Sequence, residues 1–370
     1  MKFENVRLAS IGALVPEEVW SSDDIERRLQ PLYERLKLPE GRLEMMSGIA
    51  QRRVWPTGTM PSGPSIRSAK LAIEAAGIDP GRVGCLIHAS VCRDFLEPAT
   101  ASRVHHGVGL SSDCWVYDVS NACLGVINGA VQIAMMIESG AIEAGIVVGT
   151  ENSRMLLEST MNALIADSTL KRKDIKGAFA SLTIGSGSCA WLLSHARLAA
   201  DASSVDVGIA EARTRFHDLC VSASDSAGAN MNPLMETDSE QLMAEGIAAG
   251  VAGFAKLLSE SGWSRDSIDR SICHQVGGRH RAAMLESMEL PLDRDSITFP
   301  WLGNTGSVAL PLTVAAAAAR GELSGGDRVA MLGIGSGINS VMLASRWGQT
   351  PVAGNVSVLE NGALPLKNPG

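Results

Sequence analysis

The chain has 370 residues, enough for two or three domains, with 45% hydrophobic residues and a net charge of −8. That acidity, with only 4% aromatic residues, excludes the basic, stacking surface of a nucleic-acid binder. The seven cysteines (Cys85, Cys92, Cys114, Cys123, Cys189, Cys220 and Cys273) form no CxxC pair, and the charged N-terminus and absence of a run of about 18 apolar residues predict a reduced, cytoplasmic chain without a membrane span or metal site.

Val6 to Leu14 reads as a first strand, and Ser21-Ser22-Asp23-Asp24 offers an N-cap and early acids for a helix through about Leu36. Gly48 to Trp55 is a short extended segment, Ser65 to Ala76 a helix stopped by Gly77, and Val83 to Val91 a buried strand. Cys92 to Pro98 is a loop, and a helix runs from Ala99 to Val108. Trp115, Val116, Tyr117 and Val119 form a short buried strand. Leu124 to Ser139 is an almost wholly apolar helix, stopped by Gly140. Ala144 to Thr150 is the next strand.

Residues 152–179 mix apolar residues with Lys171, Arg172, Lys173, Asp174 and Lys176. They read as an insertion of loops and short helices, either shaping a ligand cavity or making a solvated excursion. Ala180 to Ser194 reads as two strands around Gly185-Ser186-Gly187. After a polar connection at Asp201 to Asp206 come a long helix from Ser239 to Ser261, a strand from Ser271 to Val276 and a helix from Arg279 to Met288. An Ala-rich helix from Thr305 to Arg320 precedes a closing strand pair, Arg328 to Ile334 and Ile338 to Arg346.

Strands alternating with helices predict a largely parallel, buried sheet in an α/β fold. Thr183-Ile-Gly-Ser-Gly-Ser-Cys-Ala-Trp-Leu-Leu-Ser194 resembles Gly333-Ile-Gly-Ser-Gly-Ile-Asn-Ser-Val-Met-Leu-Ala-Ser345. The likeness in residue type and in position predicts two duplicated halves, 1–198 and 199–370.

Cys123 sits where a strand turns into a helix. Unpaired N–H groups and the helix dipole there favour a thiolate, the nucleophilic form, although a buried structural cysteine fits the same stretch. His274 ends a short apolar strand, where α/β active sites gather, and Asn304 lies between glycines before a helix, where it also fits a plain N-cap. Together a thiol, an imidazole, an amide and glycine turns could attack an acyl carbonyl and stabilise an enolate oxygen.

Four motifs carry a resemblance: Asp118-Val-Ser-Asn-Ala-Cys123, Cys273-His-Gln275, Gly303-Asn-Thr-Gly-Ser307 and Gly333-Ile-Gly-Ser-Gly337. In that order and over nearly the whole chain they resemble the thiolase superfamily in its β-ketoacyl synthase III branch. The resemblance implies a thiolase-like five-layer αβαβα fold, a homodimer and a Cys-His-Asn triad at Cys123, His274 and Asn304. It also implies an oxyanion hole from the backbone N–H groups of Cys123 and Gly337. A narrower likeness, to OleA-like acyl-CoA condensing enzymes, rests on Ser90-Val-Cys-Arg-Asp-Phe-Leu-Glu-Pro-Ala-Thr-Ala-Ser102, Gly48 to Trp55 and Leu332 to Asn339. It implies that Glu97 reaches the partner's active site and removes an α-proton. From the residues alone, Glu97 could equally be an exposed loop carboxylate.

Leu302 departs from the pattern, standing where these families usually carry His. The aromatic and arginine that grip the CoA adenine in the initiating synthase are not evident before Gly48. Both CoA and an acyl carrier protein therefore stay open as thioester carriers. Arg52, Arg53 and Arg213 are candidates for phosphate contacts, or plain surface residues. The expected activity is a Claisen condensation through acyl-Cys123, joining two acyl-CoAs without decarboxylation and needing no cofactor. A malonyl-dependent synthase and an acyltransferase to a hydroxyl or amine remain alternatives.

Overall fold

The computed structural model describes residues 1–172, 174–222 and 235–362. Its strands are β1 (Val6–Leu14), β2 (Glu18–Ser21), β3 (Gln51–Val54), β4 (Val83–Ala89), β5 (Trp115–Val119), β6 (Ala144–Glu151) and β7 (Gly187–His195). There follow β8 (Ser203–Ala212), β9 (Cys220–Ser222), β10 (Met235–Thr237), β11 (Arg270–Cys273), β12 (Arg328–Gly335), β13 (Asn339–Arg346) and β14 (Val352–Gly354).

The main sheet runs β11-β12-β13-β8-β1-β7-β6-β4-β5, with β14 beside β1. Within it one pattern occurs twice. β4 and β6 are parallel neighbours, followed by antiparallel β7 and then β1. β11 and β12 are parallel neighbours, followed by antiparallel β13 and then β8. The two sets meet through a short antiparallel step, Arg7 opposite Ser204 and Leu8 opposite Ser203.

The helices make the layers. Helix Ser62–Ala76 packs on β1 and β7 and joins helix Thr100–Val108 over one core, with Ala69, Ala72, Val104 and Ile146 buried. Helices Gly125–Glu138 and Ala309–Ala319 share a second core with residues of both strand sets, among them Ile11, Trp191, Met331 and Leu343. Helices Ser239–Ser261 and Gly278–Met288 cover the opposite face, over Ile209, Leu332 and Met342. The order is helix, sheet, helix, sheet, helix, and the fold is thiolase-like α/β.

The Ser239–Ser261 helix is long and apolar enough to cross a membrane, unlike the expectation that no such segment exists. Here one face is spent on the protein. Gly246, Ala249, Gly250, Gly253, Phe254 and Leu257 are buried, and a Cβ at Gly250 would stand 2.7 Å from Ile334 Cδ1. The glycines let this helix lie close against the sheet.

Several boundaries differ from the sequence reading. The helix expected from 22 to 36 is two, Ser22–Arg28 and Gln30–Leu36, because Pro31 favours the first turn of a new helix. The Trp115–Val119 strand is not buried. It ends the sheet, and Trp115 is 65% exposed. Residues 180–186 form no first strand; a 3-10 stretch, Asp174–Thr183, ends there, and β7 pairs instead with β6 and β1. The polar stretch 201–206 hides the start of β8, whose alternating Ser203, Val205 and Val207 point inward. In the insertion, Arg154–Ala166 is a regular helix whose Leu157, Met161 and Leu164 pack on Trp20, Leu29 and Leu32. Lys173 lies outside the described residues.

Candidate active site

The strand ends converge. β5, β6, β11 and β12 all deliver loops from their C-terminal ends, where α/β folds place their ligand crevices. After β5 the chain turns sharply. Ala122 takes a left-handed φ of +44°, and Ala122–Leu124 is a single 3-10 turn before the α-helix opens at Gly125. A left-handed backbone at a non-glycine residue stores strain of the kind found at functional turns. Cys123 rides on this turn, half-buried.

The turn seats on β12 because that strand carries glycines there. A Cβ at Gly335 would lie 3.0 Å from Leu124 Cγ and 3.6 Å from the Cys123 backbone N. Gly337, two residues on, has φ +124°, and a Cβ there would meet the Asn339 carboxamide at 2.8 Å. The β12–β13 turn and the Cys123 turn are therefore neighbours.

His274 follows β11 directly. Its backbone N–H donates to Leu332 O of β12 at 3.1 Å, and the side chain is buried. Gln275 ties this segment to the stretch before Asn304. Its Oε1 accepts from the N–H groups of Thr298 (2.9 Å) and Phe299 (3.2 Å), while its Nε2 donates to Cys273 O. Asp295 supports the same strand, accepting from Ser271 Oγ, Cys273 N–H and Arg281 Nε, the last at 2.6 Å. Replacing Asp295 by Ala removes the carboxylate partner of Arg281 and leaves it only the carbonyls of Leu292 and residue 295, and should cost about 3 kcal/mol, as for breaking a buried ion pair. Urea unfolding measures this, and a loss under 1 kcal/mol would contradict it.

Asn304 is held by its backbone, whose N–H donates to Thr183 O and whose C=O accepts from Gly185 N–H. Its Oδ1 accepts from Gly306 N–H at 3.0 Å. With the oxygen occupied, the carboxamide presents its NH2 as a donor. Gly303, φ +71°, must be glycine, since a Cβ would sit 2.6 Å from Thr183 O. The Gly306–Val308 turn packs on the Cys123 turn. Three expected residues, Cys123, His274 and Asn304, thus stand on elements gathered around the end of β12.

The protonation state reverses the sequence expectation. Burial, reinforced by Glu151 and Cys220, pushes the Cys123 thiol up to about 12, outweighing the helix start. Burial, with His280 nearby, pushes His274 down to about 3. The resting pair is a neutral thiol and a neutral imidazole. A neutral imidazole can take the thiol proton during attack and later serve as an uncharged N–H donor.

This also makes folding pH-dependent. His88 is buried like His274 and His280 is half-buried, and desolvation pushes His88 and His280 down to about 4. Below the unfolded value of 6.5 the unfolded chain binds protons that the native chain cannot. Stability is therefore full above about pH 6.5 and falls as pH drops towards 4, by up to about 1.4 kcal/mol per pH unit for each histidine. Urea midpoints at pH 7.5, 6.0 and 5.0 should decline in that order; a flat series would contradict the buried neutral state.

The remaining site expectations fare differently. Glu97 is exposed in a loop held down by Asp94, which accepts from Ser62 N–H and Arg103 Nη1. Arg52 is fully buried, its guanidinium on Ser22 Oγ and Trp20 O, so it is no phosphate contact. Arg53 donates to Pro16 O and Glu17 O, and burial lowers its pKa, so it too is spent within the fold. Arg213 pairs with Glu245 at 3.2 Å rather than standing free. The sequence reading missed Glu151 and His280 and assigned Gln275 no role. Gln275 and His280 lie inside the quoted His274 stretch, but their partners, Thr298, Phe299 and His274, are set by the fold.

Residues 65–187 match the thiolase N-terminal domain, and residues 258–347 match the C-terminal part of 3-oxoacyl-[acyl-carrier-protein] synthase III. The acyl-CoA:acyl-CoA alkyltransferase of Shewanella oneidensis is 37% identical over 359 residues, covering 94% of this chain and all of that protein. The chain belongs to the acyl-CoA:acyl-CoA alkyltransferase (OleA) family. The Xanthomonas campestris alkyltransferase is 33% identical, again over 94% of this chain and all of the relative. A crystal structure of Xanthomonas campestris OleA with bound lauric acid and lauroyl-CoA superposes with a TM-score of 0.87 at 32% identity, over 93% of this chain and all of that one. A β-ketoacyl-[acyl-carrier-protein] synthase III from Pseudomonas aeruginosa is 25% identical, over 92% of this chain and 96% of that protein.

Proposed function

We propose that this member of the OleA family joins two acyl-CoAs by a non-decarboxylative Claisen condensation. The carrying observation is the full-length similarity to alkyltransferases together with the gathering of Cys123, His274 and Asn304 at one strand end. In the first step Cys123 Sγ attacks the thioester carbonyl, its proton passes to His274, and CoA leaves as the thiol. The N–H groups of Cys123 and Gly337 form the oxyanion hole. In the second step Glu97 of a partner subunit removes the α-proton of another acyl-CoA. His274 and Asn304 donate to the resulting enolate oxygen. The α-carbon attacks acyl-Cys123, forming the C–C bond of a 2-alkyl-3-ketoacyl-CoA and freeing the Cys123 thiol.

The exposure of Glu97 supports the partner route. β5 ends the sheet with one neighbour, β4; exposed Trp115 lies on β5, and exposed Val91, Phe95 and Leu96 lie on the loop that follows β4. A homodimer paired along β5 would cover this apolar edge. We place the protein in the cytoplasm, in lipid metabolism, with CoA as carrier and no cofactor, and divide it into duplicated halves at 198/199; residues 223–234 and 363–370 of the second half lie outside the described residues.

Product analysis with one long-chain acyl-CoA and no malonyl thioester tests the reading. A 2-alkyl-3-keto product is expected. Condensation only after malonyl thioester is added would overturn it in favour of the decarboxylative alternative.

A further inference from the structure

Glu151 closes β6 and is buried, yet no step above uses it. Its Oε1 accepts from Val91 N–H (3.0 Å), Ser307 N–H (3.2 Å) and Ser307 Oγ–H (2.5 Å). Its Oε2 accepts from Cys92 N–H at 3.3 Å. A Cβ at Gly306 would lie 3.1 Å from the carboxylate carbon, so the absent side chain there is what admits Glu151. One side chain thus holds two loops. One is the turn whose Gly306 N–H fixes Asn304 Oδ1 and which packs on the Cys123 turn. The other begins at Ser90 and leads to Glu97.

We propose that Glu151 is a positioning residue of the condensation: its carboxylate fixes the Asn304 turn and the root of the Glu97 loop in register with the nucleophile turn. The proposal rests on the function argued above. Four donors on one buried carboxylate exceed what anchoring a single loop needs, and each loop leads to a group of the second step. A carboxylate beside the nucleophile has a second effect, since negative charge opposes formation of the thiolate. Glu151 contributes to holding Cys123 protonated, together with burial and Cys220. It acts in the same sense on Cys92. An acyl-Cys carries no such charge, so the carboxylate disfavours the bare thiolate and leaves the loaded enzyme unaffected.

Glu151→Gln separates the two effects. Gln keeps an oxygen for the three Oε1 bonds, and Cys92 N–H retains Ser90 Oγ at 3.0 Å. The charge is removed, and with it only the longer Cys92 N–H bond to Oε2. The full-length protein is alkylated with iodoacetamide between pH 7 and 9 and Cys123 is followed by peptide mass. In Glu151→Gln the rate at Cys123 should rise at least about threefold at each pH, the effect of removing a negative charge that opposes the thiolate. In Glu151→Ala, which loses the anchors, condensation should fall at least about tenfold while acylation of Cys123 by acyl-CoA persists. Wild-type condensation by Glu151→Ala would overturn the proposal, as would a Glu151→Gln loss of condensation as large as that of Glu151→Ala, since Gln keeps the Oε1 anchors. If Glu151→Ala does not fold, Glu151→Asp, which keeps the charge and shortens its reach to both loops, decides it, and wild-type condensation there would overturn the proposal. A wild-type protein that forms no condensation product sinks the parent reading instead.

Discussion

Replacing Cys123 by Ala should abolish acyl transfer and condensation together, a loss of about 10⁴-fold or more, as expected when a covalent nucleophile is removed. The fold should survive. Cys123 is half-buried on a turn, and losing one sulfur there should cost about 1 kcal/mol. The structure sharpens why this cysteine is singular. Cys85, Cys189 and Cys273 are fully buried, and Cys273 contributes its backbone N–H to Asp295. Only Cys123 combines access with a strained turn seated on the glycines of β12. Intact-protein mass after exposure to long-chain acyl-CoA, beside the urea midpoint, checks both halves of the expectation. Acyl mass gained by Cys123→Ala would remove Cys123 from the reaction.

Replacing Glu97 by Ala should have the opposite profile. Acylation of Cys123 should proceed at the wild-type rate, while condensation falls by about 10²- to 10⁴-fold, the usual range for a lost general base. Stability should change by less than about 0.5 kcal/mol, because Glu97 is exposed. Glu97→Asp should restore part of the rate if the carboxylate itself reacts. The measurement is the ratio of acyl-enzyme to condensed product over time. Equal loss of both steps would show Glu97 to be a structural residue of the loop. Mixing Glu97→Ala with Cys123→Ala protomers offers a further check, since a base donated across a dimer should recover activity in mixed dimers alone.

Much of the frame was legible from local pattern. Strands with continuous apolar runs, such as Ala144 to Thr150, lie where pattern places them, and the helix expected from Ser65 ends at its Gly77 stop although it begins earlier, at Ser62. β8 was not legible, because its Ser203 and Ser204 read as loop while their burial comes from Thr350 and Ser345 far along the chain. Trp115 misled in the other direction, since an aromatic strand reads as buried whether or not a neighbour covers it. In the site, Cys123, His274 and Asn304 stand out by motif. Glu151 does not, because nothing local distinguishes it from any acid after a strand. Its partners lie 60 and 156 residues away and meet only in the fold. The thiol's protonation was read wrongly for the same reason. The helix start is visible in sequence, but the burial that outweighs it is not.

The most direct test is a two-chain pulse-chase. The protein is loaded with a ten-carbon acyl-CoA, freed of excess thioester, and chased with a fourteen-carbon acyl-CoA. The pulse acyl group should leave Cys123 as the keto half of a mixed product, with the chase chain supplying the α-carbon and its alkyl branch. A chase that yields only fourteen-carbon homodimer, with the ten-carbon group still on Cys123 or released as free acid, would contradict the account.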